Sequence, residues 1–428
     1  MTKRILRDMQ RMLSDLWESH KIVVNNLKMK TVSHRSRVSG KPTSSGLAFD
    51  VYQTISSVPL AIWNGCNRKK DIFLSSDYLS ALEKAPPANM QFRYVIFTDM
   101  HKPVAIGYFQ ILELNHRLHK SAMQFLRIKK KTTIGDFHAK IANSISNRIL
   151  VCGNALLSGE HGYAIAGLDE NLVIHVIAEA AYAIRKSANN HISVTLIKDF
   201  YDRNKDNAKV LSQFGYYSFD AGPNMIVPIR ENWSSFDAYL KQMKAKYRKR
   251  ATSAIKKGVG IHRRTLNLDE IIEHKDALYA LYSEVVDEAK YRLYFLSPNY
   301  YIELKKRLGE RFVCDGYFEG SNLIGFTTRI FNEHMMEGYT HGLNYERNKS
   351  YELYQNFLLD DIRAAIAAKC SQINTGRTSM AMKSSVGAVP DNMKCYMRFS
   401  GRLSNQLTKP LLYFIKPSYE YCRRPFEE

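Results

Sequence analysis

Nowhere in its 428 residues does this chain hold an uninterrupted apolar run of the roughly 20 residues that a membrane-spanning helix needs. The nearest approach, Val173 to Ile184, contains His175 and Glu179 and reads as a buried helix. Cysteine is sparse: Cys66, Cys152, Cys314, Cys370, Cys395 and Cys422 are spread without a close pair, so neither a disulfide framework nor a cysteine-ligated zinc site is indicated. The 13 histidines include no His-Glu-x-x-His or comparable ligand spacing, and no metal is expected. From Met1 to Lys30 the apolar residues are scattered among charges, leaving no signal-peptide core. The expectation is a cytoplasmic protein, free or peripheral to the inner face of a membrane.

Acidic residues are the other shortage. Against 62 Lys and Arg stand 41 Asp and Glu, a net charge of +21, which points to a polyanionic partner such as RNA, an anionic membrane face or a phosphorylated substrate. The excess is concentrated. The first 41 residues carry ten Lys/Arg against Asp8, Asp15 and Glu18, and Lys241 to Arg264 carries ten with no acid. Within the latter, Leu240, Met243, Tyr247, Ala251 and Ile255 fall at helical spacing, predicting one packed stripe and a cationic remainder. Such a face is either merely solvated or binds an anion; mutual repulsion of cations without i,i+4 partners favours the second reading as much as the first.

What is present is a duplication. Phe73-Leu74-Ser75, Tyr78, Leu82 and Lys84 recur at the same spacings as Phe295-Leu296-Ser297, Tyr300, Leu304 and Lys306. Each copy predicts an amphipathic helix (Ser76 to Lys84; Ser297 to Leu308) and then a β-hairpin (Phe92 to Leu112; Phe312 to Ile330) whose second strand carries a glycine, Gly107 or Gly325. In the first half there follow a strand at Arg148 to Leu157, a loop Ser158 to Gly167, a helix Asp169 to Ala188, a strand Ile192 to Lys198, a helix Asp202 to Phe214 and a strand Met225 to Ile229. The second half opens with the basic helix Ser234 to Lys257 and a helix Leu268 to Tyr291. After its hairpin come a strand His334 to Leu343, a loop Asn344 to Ser350, a helix Tyr351 to Lys369, a strand Gln372 to Gly376, and a short helix and strand to Phe399. Strands and helices alternate after an opening hairpin, which is α/β with a mixed sheet. Ahead of the repeats lie a helix over Met1 to Asn26 and a Ser/Gly/Pro-rich linker, Ser33 to Gly46. The C-terminal stretch Leu411 to Arg424 mixes aromatics with cations and reads as a terminal strand or a membrane-touching segment.

This element order resembles the GNAT acyltransferase domain, and two such domains in tandem resemble the Fem-type peptidyltransferases. The second half carries the closer likeness: Trp233 to Lys257, His341-Gly342-Leu343-Asn344, Leu353-Tyr354-Gln355, and Asn374-Thr375-Gly376-Arg377 with Lys383. The resemblance implies an α/β (α+β) chain of two tandem GNAT-like domains, at 47–230 and 231–428, behind the basic N-terminal helix and linker of 1–46. Each would be a mixed, mostly antiparallel sheet with a splayed fourth and fifth strand, flanked by helices. It further implies a donor phosphate at the N-terminus of the helix after strand four, where free N–H groups and the helix dipole attract it. The usual loop there is Gln/Arg-x-x-Gly-x-Gly/Ala. This chain has Arg347-Asn348-Lys349-Ser350-Tyr351-Glu352 instead, and the first half has Gly159, Gly162 and Gly167 without a leading Gln or Arg.

The implied activity is acyl transfer to an amine on a small molecule, a lipid or a cell-envelope precursor. The donor would be acyl-CoA, as co-substrate rather than tightly bound cofactor. Aminoacyl-tRNA is the alternative donor, and a non-catalytic RNA- or membrane-binding module is the alternative class. An amine must shed its proton to attack, so a base is useful. On the strand His334 to Leu343, residues Glu337, Tyr339 and His341 alternate with Gly338, Thr340 and Gly342 and are expected on one face as base and relay. Donor contacts are expected from Asn344, Arg347, Lys349, Ser350, Gly376, Arg377 and Lys383, and acceptor contacts from Asn154, Glu160 and His161 in an interdomain cleft. The basic helix and N-terminus would meet tRNA or an anionic membrane surface.

Overall fold

The computed structural model describes residues 37–39, 46–113, 148–187, 192–201, 206–289, 293–401, 405–406, 412 and 422–427. The expected N-terminal helix and most of the C-terminal stretch lie outside the described residues, as does the start of the helix expected from Asp202. Residues Arg37–Glu428 form one compact unit.

Two mixed sheets organise it. In the first, β1 (Arg37–Ser39), β2 (Ala48–Tyr52), β3 (Met90–Asp99), β4 (Lys102–Glu113), β5 (Arg148–Cys152), β7 (Val194–Tyr201), β16 (Met393–Phe399) and β8 (Tyr217–Asp220) lie side by side in that order, with β6 (Tyr163–Ile165) also on β4. In the second the order is β10 (His262–Thr265), β11 (Phe312–Glu319), β12 (Asn322–Asn332), β13 (Met335–Leu343), β14 (Gln372–Asn374), β9 (Asn224–Pro228) and β15 (Val389–Asp391). Among these pairings β5 with β7 and β13 with β14 are parallel and the others antiparallel. In the second half these are the fourth and fifth strands, and in the first they are so once the short β1 and β6 are set aside.

The halves exchange a strand. β9, from the end of the first half, sits between β14 and β15 of the second sheet, and β16, from the end of the chain, sits between β7 and β8 of the first. Both sheets therefore cross the sequence boundary at 230.

The duplicated residues build the junction. The Ser76–Lys84 helix, capped by Ser75 Oγ accepting from Tyr78 N, packs against the Tyr300–Leu308 helix. One hydrophobic core then runs through both halves, with Tyr78, Leu82, Tyr300 and Leu304 fully buried. Burying each such side chain is worth on the order of 1.5–3 kcal/mol. The repeated hairpin glycines have one shared cause. A Cβ on Gly107 would come within 3.0 Å of Ile177 Cδ1, and one on Gly325 within 2.8 Å of Phe357 Cζ, so each lets a helix of its own half lie close on the sheet.

Several elements differ from the sequence reading. Part of the expected linker, Arg37–Ser39, pairs with β2. The basic helix is two, Phe236–Gln242 and Ala245–Lys257, broken where Lys244 N donates to Pro425 O at 2.8 Å. The expected loop after strand four is a helical turn, Tyr345–Tyr351, and the Leu353–Ala367 helix follows Glu352 in the left-handed region.

Candidate active site

Parallel pairing of β13 with β14 runs from Met335 opposite Gln372 to Glu337 opposite Asn374 and stops there. β13 continues to Leu343, so past Glu337 no strand among the described residues covers its β14 side. A cavity of about 410 Å³ opens at this divergence. The second half lines it with Glu337 to His341, Asp361, Asn374 to Thr378 and Lys383; the first half contributes Leu112, Ile149, Val151, Ala155 to Ser158, Leu196 and Lys198. Asn374 Nδ2 donates across the halves to Ser158 O at 3.0 Å.

Glu337 sits at the fork, 3% exposed, with Oε1 lacking any hydrogen-bond partner. Burial pushes its carboxyl up to about 8; charge on His161 and the side chain of Asn374 hold it down in part. His161 belongs to the first half. Its Nδ1 lies 2.7 Å from Asp71 Oδ2, and Asp71 Oδ1 accepts from Asn332 Nδ2 of the second half. Burial works against the His161 imidazolium, but the Asp71 carboxylate outweighs it and raises the pKa.

Tyr339 does not stand free beside Glu337. Its hydroxyl bonds those of Tyr78, at 2.9 Å, and Tyr300, so the duplicated tyrosines of both halves converge on it. Asn154 Nδ2 donates to Tyr78 Oη at 2.9 Å. All three phenols are raised by burial and stay protonated. His341 departs from the expected face. The register between β12 and β13 shifts between Thr327 and Arg329, leaving Tyr339 and Thr340 opposite Thr328 alone. Thr340 consequently points, like Tyr339, toward the Tyr300–Leu308 helix, with its Oγ1 donating to Tyr301 Oη. His341 turns to Tyr354 and Phe357 of the opposite helix, where burial and Lys383 lower it to about 4. The base-and-relay row predicted by strict alternation is thus split, with Glu337 and Tyr339 on one face and His341 on the other.

The expected donor residues divide. Gly376, Arg377 and Lys383 line the cavity; Asn344, Arg347, Lys349 and Ser350 do not. Asn344 Oδ1 caps its own helix by accepting from Arg347 N, and Arg347 pairs with Glu319. At the next helix Asn348 Oδ1 accepts from Tyr354 N at 2.9 Å and Glu352 meets Lys257 at 2.6 Å. At each N-terminus one of the N–H groups that a phosphate would use is thus taken by an asparagine side chain. Of the acceptor set, none reaches the cavity wall: Asn154 is buried under Tyr78, His161 behind Asp71, and exposed Glu160 accepts from Tyr201 N, while the neighbouring Ala155 to Ser158 line the wall.

Two residues outside the sequence reading close the first half's own fork. Lys198 Nζ donates to the carbonyls of Asn154 (2.9 Å) and Leu157 (2.8 Å) and to Asp199, spanning the gap where β5 and β7 part. Asp199 also accepts from Gly159 N and from Arg377, which ties strand seven to the segment after strand fourteen. A charged Lys-Asp pair inside the apolar run Val194–Tyr201 is the signal that could have revealed it. For Asp71 the signal is a difference between the copies, because the position equivalent in the second is Leu293.

No model of a known protein family matches this sequence, and no curated protein matches it. Among solved structures, FemX is similar over 80% of this chain and 98% of its own, with a TM-score of 0.51 at 9% identity. A tandem GNAT protein from the clavulanic acid biosynthesis pathway (TM-score 0.49, 9% identity, 83% of this chain and 99% of that one) and L-PGS from Bacillus licheniformis (0.43, 10%, 78% and 95%) are similar at a lower level. The chain has the tandem GNAT fold. Its fold is shared with FemX over most of both chains.

Proposed function

We propose that this protein transfers an acyl group to an amine in the cavity between its halves, with Glu337 as general base. The observation that carries the reading is Glu337 itself, a buried carboxyl with an unpartnered oxygen at the point where the parallel strands part. Moving a proton from an ammonium of pKa near 10.4 to an ordinary carboxylate is uphill by roughly 8 kcal/mol, and to a group at about 8 by roughly 3 kcal/mol. In the step, the amine nitrogen attacks the carbonyl carbon, its proton passes to Glu337, the new C–N bond forms, and the bond to the sulfur or oxygen of the donor breaks, the leaving atom taking up a proton. The cationic substrate and anionic Glu337 favour each other, which brings the base into its working form on binding.

A thioester donor is the first reading, its acyl end lying along the uncovered edge of β13. The capped helix ends favour a second, an aminoacyl ester on RNA, because that donor needs no phosphate at the helix N-terminus. The Ala245–Lys257 helix keeps Lys246, Arg248, Lys249, Arg250, Lys256 and Lys257 exposed and supplies the cationic surface for it. The test is transfer from acyl-CoA and from aminoacyl-tRNA to a primary amine by the full chain and by Glu337→Gln. Transfer lost in the variant supports the reading, and undiminished transfer by it at every pH overturns it. RNA binding through several phosphates weakens steeply with salt, which separates the two donors.

A further inference from the structure

The cavity is divided by chemistry as well as by ancestry. Its second-half wall carries the carboxylates, imidazole and most of the hydroxyls and cations, beside Tyr354, Phe357 and Leu358; its first-half wall is Leu112, Ile149, Val151, Leu156 and Leu196 with little polar relief. Lys198 adds none, because its three N–H groups are occupied by two carbonyls and Asp199. Leu293 and Tyr294 extend the apolar side, and Tyr294 is held in place by donating to Leu156 O. Size sets a further limit. Since an apolar cavity of 150 Å³ takes up benzene, about 410 Å³ holds about sixteen non-hydrogen atoms, enough for the reacting ends of two substrates and too few for a nucleotide carrier.

We propose that the acceptor is a primary amine borne on an apolar body, its ammonium at Glu337 and its hydrocarbon against Leu112, Ile149, Val151 and Leu196. Glu337 lines the same cavity as these first-half residues, so an amine at its carboxyl lays its attached group onto that apolar wall. The opposite side, along β13 past Glu337, is left to the donor. An acceptor of this kind needs no recognition of charge beyond its amine, and the wall offers none. The inference rests on the acyltransferase reading only for naming the amine an acceptor.

Binding tests it without any donor. Butylamine, hexylamine and octylamine, with the matching alcohols and methylamine, are titrated into the full-length protein by calorimetry. Affinity is expected to rise about fourfold per methylene until the wall is covered. The alcohols should bind more weakly than the amines, and Glu337→Gln should remove that difference while keeping the chain-length dependence. Leu196→Phe, filling the wall, should abolish it; Leu293→Trp, at a 37% exposed position on the rim, gives the same readout should the Leu196 variant not fold. Chain-length-independent binding, or binding unchanged by the wall substitution in a folded variant, overturns the proposal. Alkylamine binding without transfer from any donor would remove the acyltransferase reading and leave this site standing, whereas transfer to small polar amines without alkylamine binding would do the reverse.

Discussion

Glu337 concentrates the consequences at the scale of single residues. With its carboxyl pushed up to about 8, kcat/KM is expected to rise with pH through that region and level off above it, because the free enzyme must lose the proton before it can serve as base. Glu337→Gln should lower kcat/KM by about a hundredfold to ten-thousandfold and flatten the profile. His161 contributes through charge: its imidazolium holds Glu337 down, so His161→Gln should move the apparent pKa of the profile upward while leaving the plateau rate the less affected quantity. A pH–rate series on both variants checks this. A downward shift in the second would show that His161 does not act on Glu337. Glu337 was legible in the sequence as an acid among small and polar residues on strand four. The Asp71–His161 pair that supports it was not, since its members are 90 positions apart and meet only when the first half folds.

Single elements are where local pattern and tertiary demand part company. Alternation along β13 predicted one face for Glu337, Tyr339 and His341, and a bulge set by the partner strand overrode it. The bulge leaves Gly342 facing the Lys275–Glu288 helix, where an added Cβ would lie 2.3 Å from Phe326 Cε1 and 2.6 Å from the backbone of Leu281 and Tyr282. Backbone cannot give way as a flexible side chain can, so Gly342→Ala should destabilise the protein by about 1–3 kcal/mol or more, read from chemical denaturation. The fork of the first half is held shut by Lys198, Asp199 and Arg377. Burial opposes the charge on Asp199, but the two cations beside it hold the carboxyl down at about 2. Its folded pKa is thus below the unfolded value near 3.9, so this contribution is present above that value and is lost as pH falls through about 2. Asp199→Asn leaves two partly buried cations without their counter-charge and should cost about 2–4 kcal/mol at neutral pH, with a smaller difference from wild type in strong acid. Element type and order were read correctly for the repeated helices, hairpins and fourth strands, where amphipathic periods are strong. The break in the basic helix and the turn at Tyr345–Tyr351 depend on contacts with Pro425 and on capping, which periodicity does not carry.

For the whole molecule, the exchanged strands make the halves interdependent. Without β16 the first sheet loses the strand joining β7 to β8, and without β9 the second loses the one joining β14 to β15. Residues 46–230 and 231–428 expressed separately should each be insoluble or molten, and co-expression should restore a soluble pair; independent cooperative unfolding of either piece would contradict this. The duplication, the alternating elements and the charge excess were determined by the sequence alone, because each is a statement about residues near one another in the chain. Which half keeps an open fork, which strands change sheets, and that Glu337 lies between a polar wall and an apolar one were decided by the tertiary structure. Those outcomes rest on the docking of two similar halves, where a lysine closes one fork and the same meeting of surfaces buries a carboxyl in the other.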